Sequence, residues 1–294
     1  MPRLVHFILS LRHQFPNQPI LITKWDITKA YRRVTMNGVS VERTLYMVDE
    51  KLYIQFRLSF GGATNPPTWC IPAEIIADLA NELLECQDWH PSIVQAPGIQ
   101  IPPTKPLESP DVPFAPALAL AAETIPSECG RYDMYIDDGV GVFVDTPRNR
   151  LRVPAALPLA IHLISRPLAV NEPIPREFWI QMEKALEEAS PAELQVILGW
   201  LFDTRRLLIL LPPDKHLAWR SDIEQGLKDG FFSHADLLSL VGRLNHVCLV
   251  VPIAKYFMNR LEHKKTVSKT DKAKVISHPR RRHKRGPTPP SRVH

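Results

Sequence analysis

Four residues, Tyr135-Ile136-Asp137-Asp138, constrain this 294-residue chain more than any other stretch. One β-rich run, Arg131–Ile136, leads into them and a second, Gly139–Val144, follows. Two such runs around a tight polar pair read as a β-hairpin. Both carboxylates would then project from strand ends toward one site. Asp is a common turn residue, so a plain turn is the bland alternative. A turn alone would favour Asp-Gly, however, and here a further Asp precedes that pair beside an apolar strand. A carboxylate in such a place costs stability unless it is paired or binds a cation.

A second strand-end acid lies 111 residues earlier, in Leu21-Ile22-Thr23-Lys24-Trp25-Asp26, with Tyr31 five residues further on. Pro19–Trp25 reads as a strand, and Asp26 or Thr28 alone would pass for a helix cap. Three carboxylates on two strand ends are also what a two-Mg²⁺ centre requires. Magnesium prefers oxygen ligands and keeps waters and phosphates in its octahedral shell. Two such ions about 4 Å apart stabilise the attacking and leaving oxygens of an in-line phosphoryl displacement. A third feature, Ser59-Phe60-Gly61-Gly62-Ala63-Thr64-Asn65-Pro66-Pro67, is a glycine-containing loop running into a helix expected over Thr68–Glu85. By itself it is an ordinary strand-to-helix turn.

In this order the three features resemble motifs A, B and C of reverse transcriptases, the RNA-directed DNA polymerases. The Y-x-D-D box of that family matches Tyr135–Asp138, its strand-end Asp matches Asp26, and its motif B loop matches Phe60-Gly61 through Pro67. Ile197-Leu198-Gly199-Trp200-Leu201-Phe202 is similar to the hairpin that grips the primer, and Leu238–His246 to a thumb segment of retrotransposon polymerases. The nearest resemblance is to the DIRS-like, tyrosine-recombinase class of retroelement. It spans roughly Pro19 to Glu262.

That resemblance implies an α+β palm-type polymerase fold, an antiparallel sheet packed on helices, with a helical thumb and the fingers largely missing. It implies Asp26, Asp137 and Asp138 as catalytic, metal-binding residues for two Mg²⁺ ions, with Mn²⁺ as a substitute. Tyr31 would be an aromatic gate beneath the sugar of an incoming dNTP. Phe60, Gly61 and Tyr135 would complete the substrate pocket, and Gly199 and Trp200 would place the primer end. The implied partners are dNTPs and an RNA or DNA template with its primer. Tyr135-Ile136 ahead of the Asp pair, with Tyr31 as gate, sets the chain apart from RNA-dependent RNA polymerases. The alternatives are an inactive retroelement relic that only binds nucleic acid or protein, and an interaction protein whose basic tail does the work. Lys24 and Lys29 are expected on solvated faces.

Composition narrows the remaining choices. Hydrophobic residues make up 45% and charged residues 23%, which excludes wholesale disorder. The net charge of +5 is uneven: His263–His294 holds eleven Lys and Arg against one acid, leaving 25 basic and 30 acidic residues in the preceding 262. The basic pI is therefore a property of the tail. Cys70, Cys86, Cys129 and Cys248 are too scattered for a zinc site or a disulfide framework. No apolar run reaches membrane-spanning length, so no membrane partner is expected. The first eleven residues read as an amphipathic helix rather than a signal peptide, and the chain as intracellular, cytoplasmic or nuclear.

The expected organisation is a palm with partial fingers over 1–205, a primer-grip end and thumb over 206–262, and a disordered basic tail over 263–294. Pro91–Pro126, with nine prolines in 36 residues, is expected as a peripheral loop or insertion whose deletion leaves folding intact. Further expected elements are a hairpin of Thr44–Val48 and Leu52–Leu58, and helices over Ala156–Ser165 and Arg176–Glu188. A second hairpin is expected of Gln195–Phe202 and Leu207–Leu211, followed by helices over Lys215–Lys228, Ser233–His246 and Val250–Glu262.

Overall fold

A computed structural model describes residues 2–86, 88–93, 101–107, 110–117, 130–165, 177–267 and 272–274. The fold is mixed α+β, with antiparallel sheets packed on helices. It divides into two compact units, Met1–Leu211 and Pro212–His294. The division falls later than residue 205 because the last strand before it pairs with the strand preceding it.

The first unit opens with α1 (Pro2–Gln14), β1 (Ile20–Asp26), a 3-10 turn at Ala30–Arg33 and a single helical turn, α2 (Gly38–Val41). A hairpin follows, β2 (Leu45–Val48) and β3 (Lys51–Ile54), and then the long α3 (Asn65–Glu85). The acid-bearing hairpin is β4 (Arg131–Tyr135) and β5 (Asp138–Val144), and helices α4 (Pro147–Ile164) and α5 (Met182–Glu188) come next. Strands β6 (Leu194–Ile197), β7 (Trp200–Asp203) and β8 (Leu208–Leu210) close the unit as a three-stranded meander.

The central sheet has the order β1-β5-β4, all antiparallel. Alternation along β1 sends Leu21 and Trp25 into the core, where they join Tyr132 and Phe143 of the sheet. Trp69, Ile76, Ala80 and Leu84 of α3, with Val153, Leu157 and Ile161 of α4, complete that core. Close packing of α4 depends on Gly139: a Cβ there would stand 2.3 Å from Leu157 Cδ2. The opposite residues of β1 and β5 share the other face, which runs from Ile20, Ile22, Val142 and Val144 to Lys24, Asp26 and Asp138.

Three sequence expectations change here. Helix α4 begins nine residues before Ala156, capped by Thr146, whose side chain accepts from the Asn149 amide. Pro154 and Pro158 stand inside it, and burial against the sheet outweighs the hydrogen bonds they forfeit. The helix expected over Arg176–Glu188 is confined to α5. Residues 177–181 are extended, with Ile180 bridged to Ile27 and the Thr28 amide donating to the Trp179 carbonyl at 2.7 Å. Gln195–Phe202 is two strands rather than one, because Leu198 (φ 50°) and Gly199 (φ 81°) form a turn that needs two positive φ angles.

The proline-rich stretch is irregular, apart from a 3-10 turn at Pro91–Ile93; its described part lies at the surface as expected, but is anchored there by specific contacts. Pro102 is buried, and Phe114 lies between the guanidinium groups of Arg12 (4.4 Å) and Arg205 (4.2 Å). Arg205 also donates to the Val112 carbonyl at 2.8 Å. Residues 94–100, 108–109 and 118–126 of that stretch lie outside the described residues.

The second unit comprises α6 (Pro213–Asp229), β9 (Phe231–Ser233), α7 (His234–Val247), α8 (Ala254–Val267) and β10 (Lys272–Lys274). Ser233 caps α7 by accepting from the Asp236 amide at 3.1 Å. Leu237, Val241 and Met258 form its small core. Helix α8 continues past Glu262 to Val267, and β10 pairs with β9, so order extends beyond the expected start of the tail. The rest of the tail lies outside the described residues.

Candidate active site

The Tyr135–Asp138 corner is a two-residue β-turn closed by the Tyr135–Asp138 pair. Ile136 sits at its first turn position with φ 57°, a conformation costly for a β-branched residue. Two hydrogen bonds hold the turn there. Trp69 of α3 donates from Nε1 to the Ile136 carbonyl at 2.6 Å, and the Ile27 amide donates to the Asp137 carbonyl at 2.8 Å. Strain of this kind persists only where its surroundings over-determine it.

Register then brings the acids together. Asp26, the last residue of β1, is the direct antiparallel partner of Asp138, and Asp137 stands beside them in the turn. Asp26 is only 8% exposed. Burial raises the Asp137 carboxyl above its ordinary value; its own backbone amide opposes this, and the neighbouring Asp26 adds to it. Burial likewise raises Asp138, against the pull of Lys24.

Two lysines enter this corner. Lys24, two residues before Asp26 and on the same strand face, places Nζ 3.3 Å from Asp138 Oδ1 and 2.7 Å from Glu188 Oε2. Its side chain is 12% exposed, so it does not lie on a solvated face. Burial alone would lower its pKa, but the two carboxylates outweigh that and hold it above its ordinary value. Lys184 of α5 reaches Asp26 Oδ2 at 2.7 Å, and this hydrogen bond raises its pKa. The extended segment 177–181 delivers both α5 side chains, since the Gln181 amide donates to the Asp26 carbonyl. Neither Lys184 nor Glu188 stands out in the sequence, because nothing local signals that α5 will land beside a strand 158 residues away.

The donors are all carboxylate oxygens, the chemistry a hard divalent cation takes. Among the described residues, no three His, Cys, Asp or Glu side chains stand ready-grouped around a metal position. Lys24 and Lys184 each contact one of the aspartates instead. With Glu188, four carboxylates meet two ammonium groups.

The remaining expected residues fall in different settings. Tyr31 is 5% exposed and packs edge-on against Phe60, ring centroids 4.9 Å apart. Burial raises its phenol pKa, and the nearby Asp137 adds to the effect. Phe60 is exposed, and Gly61 has φ 92° with open space where a Cβ would lie. Tyr135 is 51% exposed at the rim of the turn. Gly199 and Trp200 belong to the separate β6-β7-β8 sheet; Trp200 is buried, which makes its ring a packing group. Lys29 is exposed, pairs with Glu177 and has φ 52°.

No family model matches the chain, and no curated protein matches it in sequence. Among solved structures it is similar to a foamy viral protease-reverse transcriptase determined in complex with an RNA/DNA hybrid. The TM-score is 0.51 at 11% identity, over 92% of this chain and 26% of that one. At that identity the two share a fold, and this chain spans about a quarter of the viral protein's length.

Proposed function

We propose that this chain is the palm and thumb portion of an RNA-directed DNA polymerase from a retroelement, of the DIRS-like class its motifs most resemble. Its reaction is nucleotidyl transfer from a dNTP to a primer 3′-hydroxyl on an RNA or DNA template. The observation that carries this reading is the antiparallel pairing of Asp26 with Asp138 beside a turn that holds Asp137. A divalent cation on these carboxylates, Mg²⁺ or Mn²⁺, would stabilise charge on the transferring phosphoryl group and activate the attacking hydroxyl. Asp26 and Asp137 supply its oxygen donors, and the pinned Ile136-Asp137 turn fixes where the second of them stands. The Tyr31 ring, backed by Phe60, forms a wall that excludes a ribose 2′-hydroxyl. Gly61 leaves backbone room beside that wall, and Tyr135 covers the open rim.

Primer extension by the full chain on an RNA template tests this. Asp26→Asn and Asp137→Asn should each lower extension by about 10²–10³-fold, with circular dichroism unchanged. Extension indifferent to both substitutions would overturn the reading. Tyr31→Val should raise the ratio of ribonucleotide to deoxynucleotide incorporation. That ratio is a difference in transition-state binding, so partial loss of stability at a buried position leaves it interpretable.

A further inference from the structure

Lys24 and Lys184 both face carboxylates of the same corner, yet they are held differently. Lys24 is enclosed, arises from the central strand itself and contacts two acids at once, Asp138 and Glu188. Removing it would leave two carboxylates facing each other in a poorly solvated place, an arrangement of high cost. Lys184 reaches in from the first turn of a seven-residue helix, has a side chain 49% exposed, and contacts Asp26 alone. An exposed lysine held by one carboxylate gains little over water and is readily exchanged.

From this difference, and resting on the metal reading above, we infer that Lys24 is a built-in cation that replaces one of the two metal ions. It binds Asp138 permanently, so the corner takes a single divalent ion on Asp26 and Asp137, in exchange for the Lys184 ammonium. Lys24 is then a positioning residue: it fixes Asp138 and neutralises it without touching substrate. The charges support this count. With Lys24 shared between Asp138 and Glu188, displacement of Lys184 leaves Asp26 and Asp137 with no cation in contact; one dication matches those two charges, and the one negative charge left over falls to the partly exposed Glu188. A second dication would have to compete with a buried ammonium already in contact with two oxygens.

Mn²⁺ titration of the full chain, followed by electron paramagnetic resonance and without nucleotide, tests the assignment. One Mn²⁺ per chain is expected. Asp26→Asn and Asp137→Asn should weaken it at least tenfold, whereas Asp138→Asn should change its affinity by less than threefold. Lys184→Met should tighten binding several-fold by removing the competing cation. Lys24→Met should release Asp138 and raise the stoichiometry toward two; if that variant does not fold, the contrast between Asp138→Asn and Asp137→Asn decides alone. Two equivalent ions in the wild type, or Asp138→Asn as damaging as Asp137→Asn, would overturn the Lys24 assignment and leave the metal reading standing. Failure of the wild type to bind Mn²⁺ would overturn both.

Discussion

The two ends of β1 place charges in poorly solvated surroundings under opposite rules. At the Ile20 end, Thr204 donates to the Ile20 carbonyl at 2.6 Å, and the fully buried Arg12 donates to the carbonyls of Gln18 and Thr204. Arg205 pairs with Glu193 at 3.0 Å, both nearly inaccessible, and Phe114 is stacked between the two arginines. With the buried Asp203 and its partly exposed partner Arg206 at 3.0 Å, three cations face two acids there, and the excess is absorbed by backbone carbonyls and an aromatic face. At the Asp26 end, acids outnumber cations, and one of those cations is half-exposed. Buried charge must be compensated in either place. Where the compensation is internal and closed, the charges hold the fold together. Where it is short of positive charge and open to solvent, the deficit is what the proposed reading fills with a divalent cation.

The largest effect should come from breaking the closed end. Arg205→Ala leaves Glu193 buried without its partner and removes one side of the Phe114 clamp. Loss of about 3–5 kcal/mol in urea unfolding is expected for an uncompensated buried charge. Asp138→Asn, which lowers an existing surplus of acid, should cost far less. Equal losses would erase the distinction between the two ends.

Phe114→Ala should be intermediate. Each stacked guanidinium is worth about 0.5–2 kcal/mol, so the two together predict a loss of about 1–4 kcal/mol. Urea unfolding that is indifferent to this substitution would mean that the proline-rich stretch covers the surface without helping to hold the fold. A density of nine prolines in 36 residues does exclude regular sheet, and the described part has none. It says nothing about a single aromatic side chain finding two cations at the far end of the domain.

The same limit governs the rest of the comparison between sequence and fold. The Asp26 strand, the Tyr135–Asp138 hairpin and the Ser233 cap were legible because each rests on local alternation or on a turn a few residues long. Lys24 was not, because its burial depends on α5 arriving across it. Nor was the 177–181 segment, which reads as the start of a helix from its neighbours but pairs through Ile180 with Ile27. Helix α4 was expected only from Ala156, and tertiary burial of the whole helix, Pro154 and Pro158 included, carries it back to Pro147. The acids of the corner could be named from the chain; their counter-cations are set by packing between distant segments.

The smallest predicted effect tests whether the open end really carries surplus negative charge. Burial and the neighbouring Asp26 raise the Asp137 carboxyl above its ordinary 3.8, so the folded protein holds that proton more tightly than the unfolded chain. Between the ordinary and the raised value the native state binds more protons, and stability falls as pH rises through that window. Above the raised value the penalty is present in full. Metal-free wild type should therefore gain stability on acidification toward the carboxylate range, relative to Asp137→Asn. The variant should be the more stable of the two at neutral pH, by less than about 1 kcal/mol, since partial solvent access screens the repulsion. Added Mn²⁺ should invert the order at neutral pH, raising the melting temperature of the wild type by mass action while leaving the variant nearly unmoved. Parallel pH profiles for the two proteins, with no inversion by Mn²⁺, would mean that Lys24 and Lys184 already neutralise the corner, and that its resemblance to the closed end is complete.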